Sequence, residues 1–577
     1  MGSRQGEKII VGIDHGTTST EIVFGLSSSE NFQFMRDWPG APSLDRSFEC
    51  PSIISYPQGS NNPHQWGFGV PKTLSNADQK FVCFKLMLDD GLERSEFYDE
   101  TLEYVLCSKA LQLPDGKTAT SVMTDFLSEV YKFLEYALIS LFGEEKFRRG
   151  AIDFYFTVPA CWLHQTQDAM RMAIEDAGFG SYNLHEVKLL AEPEAAVMSV
   201  IQEEGLEIET GDGVMICDCG GAESEPQDIA TYRVTDLSSA SLERMSATMG
   251  GKCGGASIDC RLYEHLTKRT NGEFWHLPLN NILTGSTSMN LFEMIKSEFS
   301  GEPWSSYILD LIVDTSGHHA VGIKLDGKEM AELYNPTLET IFKMIMSELN
   351  GVQAKYNHQI IKKIVFVGGF SNSPYLQNWM QRILQQFHEI TVLISKEPSL
   401  AVAKGAFLRG KYEFEGRLLE QTIKCWRHYG LACSSLNTNL QNEAYLGMES
   451  PYRTQCWVLR KDKIYQLPHS QRHELIIPHL PSDSPMKVVS IYECTSEAAP
   501  EVLQTGNPTV NLMGYITCDL SQLKLSQFPQ RTLNGHVCHV LRVSVKVSLS
   551  EKKHRIHFVA SVHGKEVGKH SIRMAIV

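Results

Sequence analysis

At 577 residues, 42% hydrophobic and 21% charged, the chain has length for roughly four domain-sized units and is too apolar to be disordered. A formal charge of −15 excludes the basic footprint that nucleic-acid binding needs. No apolar run of about eighteen residues spans a membrane, no apolar signal core opens the chain, and the fourteen scattered cysteines suit reduced thiols, so a cytoplasmic protein is expected.

Residues 8–26 read as strand, tight turn, strand. KIIVGID is β-branched and apolar, HGTTST is turn chemistry, and EIVFGL resumes the strand. Over 119–140, Val122, Phe126, Val130, Phe133, Leu134 and Ala137 share one helical face. Residues 152–160 form a buried strand ended by Pro159, and the helix after it stops at Gly178. Glu192-Pro193 stands between two apolar runs of helical character. At 213–221, GVMICDCGG is a second apolar strand ending in Asp and Gly, and 228–235 make the next strand. A helical block at 330–349 precedes a strand that opens into a glycine turn at 361–374, and 399–410 form a closing helix. After about residue 411 the pattern alternates. Leu541, Val543, Val545, Val547 and Leu549 are answered by Ile556, Phe558, Ala560 and Val562 across a charged turn, which predicts a hairpin in a small antiparallel β domain.

The two strand-turn-strand units can be laid on each other. Asp14 leads through Gly16, Thr17 and Thr18 to Glu21 in seven steps; Asp218 leads through Gly220 and Gly221 to Asp228 in ten. The second turn is therefore three residues longer. Two such units, each followed by helices, predict two similar α/β lobes with a cleft between them. Glycine turns let backbone N–H groups approach phosphate, hydroxyls such as Thr17 and Thr18 add donors, and a carboxylate at each strand end can hold hydrated Mg²⁺. The plainer alternative for Asp14 is a turn-forming residue with a satisfied side chain. No P-loop is present, since GKTATS at 116–121 lacks the first glycine. Cys217, Cys219, Cys253 and Cys260 do not have zinc-ribbon spacing and read as buried small residues.

The ordered set of segments over residues 8–410 resembles the heat-shock protein 70 chaperones, in the superfamily that also holds actin and the sugar kinases. VGIDHGTTST resembles the family's first phosphate loop and ICDCGG…QDI its second. FTVPACW through LLAEPEAAV resembles the segment that ends in its catalytic glutamate, here Glu192. MGGKCGGASID resembles the glycine pair, Gly254 and Gly255, before a family aspartate, here Asp259. FEMIKSEFS and IVFVGGFSNSP resemble the adenosine-contact motifs, which implies Glu293, Lys296, Ser300, Gly368, Gly369 and Ser371 around the nucleoside. By the same placement Lys85 orients the attacking water; the plainer reading is a snorkelling surface lysine. VGGF and the RHYG at Arg427–Gly430 look more like the divergent, fungal-type branch near heat-shock 70 kDa protein 12.

The resemblance implies a two-lobed actin-like ATPase fold of duplicated ribonuclease-H-like lobes, at 7–205 and 206–410, followed by a linker and β-rich domain at 411–577. It implies ATP or ADP with Mg²⁺ as ligands, slow hydrolysis with Asp14, Lys85, Glu192 and Asp218 as catalytic residues, and protein clients and co-chaperones as partners. Several residues depart from the family. AESEP follows Gly221 where a third glycine and a threonine belong, and Glu223 and Glu225 bring like charge toward a polyanion. Pro226 removes a backbone donor. Ser297 and Asn372 replace two arginines beside the adenine. No helical lid or acidic tail follows the β segment. A scaffold that binds nucleotide without hydrolysis is the alternative, and a sugar kinase the third reading.

Overall fold

The computed structural model describes residues 6–41, 48–71, 78–88, 113–162, 164–203, 205–220, 226–237, 240–246, 249–252, 254–277, 279–282, 286–312, 320–356, 360–387, 389–417, 422–434, 455–466, 469–496, 498–500, 509–533, 536–549 and 555–574. The chain divides into two units, Met1–Leu418 and Leu419–Ile576.

The first unit repeats one topology twice. Its first sheet has β1 (Lys8–His15), β2 (Ser19–Leu26), β3 (Phe32–Phe34), β4 (Ala151–Val158) and β5 (His185–Ala191), in spatial order β3-β2-β1-β4-β5. Its second has β6 (Gly213–Asp218), β7 (Pro226–Asp236), β8 (Ser241–Arg244), β9 (Ile361–Val367) and β10 (Thr391–Ile394), in order β8-β7-β6-β9-β10. In both, the leading strand pairs antiparallel with its successor and parallel with a later strand. The register sets Asp14 opposite Glu21 and Asp218 opposite Asp228. The overlay read from the sequence is thus a true structural equivalence, and the three extra residues fall within the second turn.

The longer helices are α1 (Ala119–Phe142), α2 (His164–Asp176), α3 (Glu192–Val200), α4 (Gly255–Arg269), α5 (Thr287–Glu298), α6 (Gly327–Tyr356), α7 (Pro374–Leu384) and α8 (Ala401–Phe414). Thr118 and Ser121 close a capping box at the start of α1. Val122, Phe126, Val130 and Leu134 of α1 are buried against the first sheet's outer face. Between the two sheets lie α3 and α8, in a core that joins Ile10 and Tyr155 of one lobe to Val214, Ile216 and Val365 of the other. Their crossing requires glycine: a Cβ on Gly405 would sit 1.7 Å from the carbonyl oxygen of Ala195. The closing helix runs to Phe414, beyond the expected 410, because Tyr412 is buried in this core and Glu413 accepts from the Tyr155 hydroxyl at 2.8 Å.

The regular structure of the second unit's described residues is β-strand apart from a short 3₁₀ turn at Leu525–Gln527. Of its two larger sheets, one holds β11 (His428–Ser434), β12 (Gln455–Leu459), β14 (Met486–Cys494) and β15 (Val510–Asp519), and the second holds β13 (His469–His479), β16 (His536–Leu549), β17 (Arg555–Val562) and β18 (Lys565–Arg573). The alternation seen in the sequence is the β16–β17 hairpin, with Leu541, Val543, Val545, Val547, Ile556, Phe558, Ala560 and Val562 buried in the core the two sheets share. In the RHYG stretch, Arg427 makes a buried 2.6 Å bond to Glu493. Among the described residues, no helix is long and apolar enough to cross a membrane.

Candidate functional site

Asp14 and His15 end β1, and the alternation of a strand sends their side chains to opposite faces. Thr157, on the neighbouring strand β4, donates its hydroxyl to Asp14 Oδ1 at 2.6 Å. His15 enters the lobe I core between the rings of Phe84 and Phe126. Burial first, and the Lys85 charge second, hold its pKa well below the usual histidine range, so the ring is neutral. A chain of hydrogen bonds then has one possible direction. The Ser52 hydroxyl is committed to the Gly16 carbonyl at 2.9 Å, so Thr20 supplies the proton of its 3.0 Å bond to Ser52. His15 Nδ1 must therefore carry its proton and donate to Thr20 Oγ1 at 2.8 Å. Together with the 2.8 Å bond from Gly16 N–H to the Ser19 carbonyl, this relay closes the Gly16–Ser19 turn. Thr17 in that turn is buried, and the Thr18 carbonyl accepts from Ser52 N–H at 2.7 Å.

The second turn is held from outside itself. Cys219 N–H donates to the Val367 carbonyl at 2.8 Å, and Phe370 N–H donates to the Cys219 carbonyl at 3.0 Å. These bonds press the Gly368–Gly369 turn against the buried Asp218. Gly368 has a φ of +83°, and a Cβ there would lie 2.3 Å from the Cys219 oxygen and 2.5 Å from Asp218 Oδ1. Only glycine leaves that carboxylate room. Gly220 follows directly; Gly221 and the wedge through Glu225 lie outside the described residues. The strand restarts at Pro226, not Asp228: Pro226 and Gln227 lie opposite Lys252 and Gly251. Proline at a strand's first residue costs no ladder bond. Asp228, which sequence reasoning left out of the site, is buried and accepts the Ala160 N–H of lobe I at 2.7 Å. Its signal was its place in the repeat, as the counterpart of Glu21.

Lys85 and Glu192 are brought together. Lys85 Nζ lies 3.0 Å from Glu192 Oε1, both side chains are buried, and the ammonium sits 5.7 Å from the Trp162 ring centre. With 2% exposure, Lys85 is no snorkelling surface residue. The run before Glu192 is a strand, β5, and not a helix: Val187–Ala191 pairs with β4 as far as Val158. Pro193 then takes the first turn of α3, where a missing N–H costs nothing. Glu192 is thereby set beside the end of the strand that carries Thr157.

The remaining assigned residues gather in lobe II. Gly254 caps α4, with Gly255 its first residue, and Ser257 N–H donates to the Gly254 carbonyl at 3.0 Å. Asp259, one turn into α4, accepts from Lys296 at 2.6 Å, and Glu293 pairs with the same ammonium at 2.5 Å. Burial opposes charge on Lys296, but the two carboxylates outweigh it and raise its pKa. Ser300, just past the end of α5, donates to Glu302, and Ser371 donates to the Val367 carbonyl at 2.6 Å. Tilted ring contacts join these parts: Phe299 contacts Tyr334, which contacts Phe370 in the Gly369–Asn372 turn. Ser297 and Asn372 are exposed.

Asp14 and Asp218 stand at equivalent strand ends, each beside a glycine turn. An oxygen-only donor set with two carboxylates suits Mg²⁺, which keeps several waters, and the missing side chain at Gly368 leaves the Asp218 carboxylate the room it occupies. Cys217 and Cys219 are buried and in no disulfide, and burial pushes the Cys217 thiol up, away from the thiolate that a metal needs.

Residues 144–414 match the family model described as Hsp70 protein. The chain is similar to heat shock 70 kDa protein 12A of Homo sapiens, at 22% identity over 494 residues, covering 71% of this chain and 70% of that protein. It is similar to heat shock 70 kDa protein 12B of Homo sapiens at 22% over 495 residues, covering 70% and 68%, and to the 12A protein of Mus musculus at 22% over 493 residues, covering 71% and 70%.

Proposed function

From the chain's membership of a divergent branch of the Hsp70 family, with its actin-like ATPase domain, we propose that it binds ATP with Mg²⁺ between its lobes and hydrolyses it slowly, coupled to holding a protein client. The observation that carries this reading is the duplicated register, Asp14 opposite Glu21 and Asp218 opposite Asp228. It puts two carboxylates and two glycine turns at equivalent ends of paired lobes. The buried Lys85–Glu192 pair supplies the groups a hydrolytic step needs.

In this reading Asp14 and Asp218 would hold Mg²⁺ through water, and Thr17, Thr18 and the Gly220 backbone would hold the β- and γ-phosphates. Mg²⁺ supplies charge neutralisation on the phosphate oxygens. Lys85 and Glu192 fix the attacking water in line. As its oxygen bonds to the terminal phosphorus, the bridging P–O bond breaks, Glu192 takes the water's proton, and ADP and phosphate leave. Positioning and charge stabilisation carry such a rate. Gly368, Gly369, Glu293, Lys296, Ser300 and Ser371 surround the nucleoside, with Gly254 and Gly255 in the same lobe.

A second reading, nucleotide binding without hydrolysis, is favoured by the ten-step second turn with its two glutamates. Calorimetric titration of the full chain with Mg-ATP tests the first reading. No heat and no thermal shift at millimolar ATP would sink it, since a ligand at 100 times Kd adds about 2.7 kcal/mol. Phosphate release above an Asp14→Asn control would sink the second. Replacing residues 222–226 by a glycine-threonine pair is expected to speed turnover if the wedge impedes the step.

A further inference from the structure

Lys85 carries its charge on a long, flexible stem, yet its buried ammonium is set 3.0 Å from Glu192 Oε1. An aromatic face also meets that ammonium. The Trp162 ring centre lies 5.7 Å from Nζ, within reach of a cation–π attraction that strengthens where water is excluded. Trp162 is buried in the turn that follows β4. Two bonds hold it within lobe I: Trp162 N–H donates to the Pro159 carbonyl at 3.2 Å, and Gln167 Nε2 of α2 donates to the Trp162 carbonyl at 3.1 Å. Lobe II grips the same turn. Asp228, wholly buried on β7, accepts the Ala160 N–H at 2.7 Å. Gly250, opposite Asp228 on the strand Met249–Lys252, lies so near that a Cβ there would be 2.9 Å from the Cβ of Cys161.

We propose that Trp162 is a positioning residue for the hydrolytic step: its ring, set in place from lobe II by Asp228, fixes the Lys85 ammonium against Glu192. This rests on the reading above that the cleft hydrolyses ATP. The Ala160–Trp162 turn then carries the position of lobe II to the pair that holds the attacking water, so the pair is aligned only while the lobes are docked. A ring that merely filled space would give way to any apolar side chain of similar size. A ring that holds an ammonium needs its π face. Likewise, an Asp228 that acts through the Ala160 N–H needs an acceptor oxygen and not a charge.

Single-turnover phosphate release and calorimetric Mg-ATP affinity, measured on the full chain, test this together. Trp162→Leu is expected to slow release about tenfold or more, as small misplacements at a reacting centre do, with Kd changed no more than a few-fold. Trp162→Phe, which keeps a π face, recovers most of the rate. Asp228→Ala slows release as Trp162→Leu does, and Asp228→Asn, whose amide oxygen still accepts the Ala160 N–H, restores it. The two positions lie in different lobes, so if one variant fails to fold the other decides. An unchanged rate in Trp162→Leu or Asp228→Ala, a conservative variant as slow as its partner, or a loss of affinity that matches the loss of rate overturns the inference and leaves the hydrolytic reading standing. No release by wild type above the Asp14→Asn control overturns both.

Discussion

The two turns of the repeat share a strand register and differ in what closes them. The first is closed from within its own lobe, by the relay from His15 through Thr20 and Ser52 to the Gly16 carbonyl. The second is held by the Gly368 turn of the next strand, and its Asp228 is held by Ala160 of the opposite lobe. Duplication preserved the strands because their pairing and core packing fix them residue by residue. It did not preserve the turns, where chain can be inserted at little entropic cost. A short turn can be closed by groups of its own lobe. A long one must be pinned by its surroundings, and its geometry then depends on both lobes.

The largest expected effect comes from the buried Lys85–Glu192 pair. Glu192→Gln is expected to cut phosphate release by about 100-fold or more while leaving Mg-ATP affinity within a few-fold, as loss of a positioned proton acceptor does. Lys85→Met strands a buried carboxylate and is expected to destabilise the first unit by about 3–5 kcal/mol, read by denaturant unfolding. Equal phosphate release in wild type and Glu192→Gln would remove the hydrolytic reading and leave the turns as binding elements.

Next is Gly368→Ala, which tests whether the second turn is pinned from outside. The added Cβ meets the Cys219 oxygen and Asp218 Oδ1 in a left-handed backbone. The expected cost is about 2–3 kcal/mol, with a loss of nucleotide affinity. Unchanged affinity would mean that Asp218 does not depend on this neighbour.

The contrast also explains what the sequence could tell. The repeat was legible because Asp14–Glu21 and Asp218–Asp228 are local, and a hairpin register follows from local spacing. The β16–β17 hairpin was legible through its period of two. The run at 187–191 was not: Val187, Leu189, Leu190 and Ala191 form a short apolar stretch that periodicity cannot assign, and only pairing with β4 makes it a strand. His15 and Thr157 were invisible as site residues for a related reason. Ser52 lies 32 residues from Thr20, and Thr157 lies 143 from Asp14, so neither contact leaves a local pattern. Lys296 and the serines near it were legible as positions, but their bonds to Asp259, Glu302 and Val367 were not.

The smallest effect is also the most specific to the first turn. His15→Leu removes the proton that starts the relay and leaves the buried Thr20 oxygen one donor short; about 1 kcal/mol of stability should go with it. His15→Asn, whose amide can replace Nδ1–H, should recover most of that. The pH dependence separates this from a loss of packing. Above the ordinary histidine value of 6.5 the ring is neutral folded and unfolded, and its contribution is intact. Below it the unfolded chain takes a proton that the buried ring refuses, so stability falls as pH drops, by up to about 1.4 kcal/mol per pH unit. Wild type should therefore lose stability between pH 6.5 and 5 more steeply than either variant. Parallel curves would mean that His15 is protonated in the folded chain. The relay's direction would then be wrong, and the first turn would need its neighbours as much as the second.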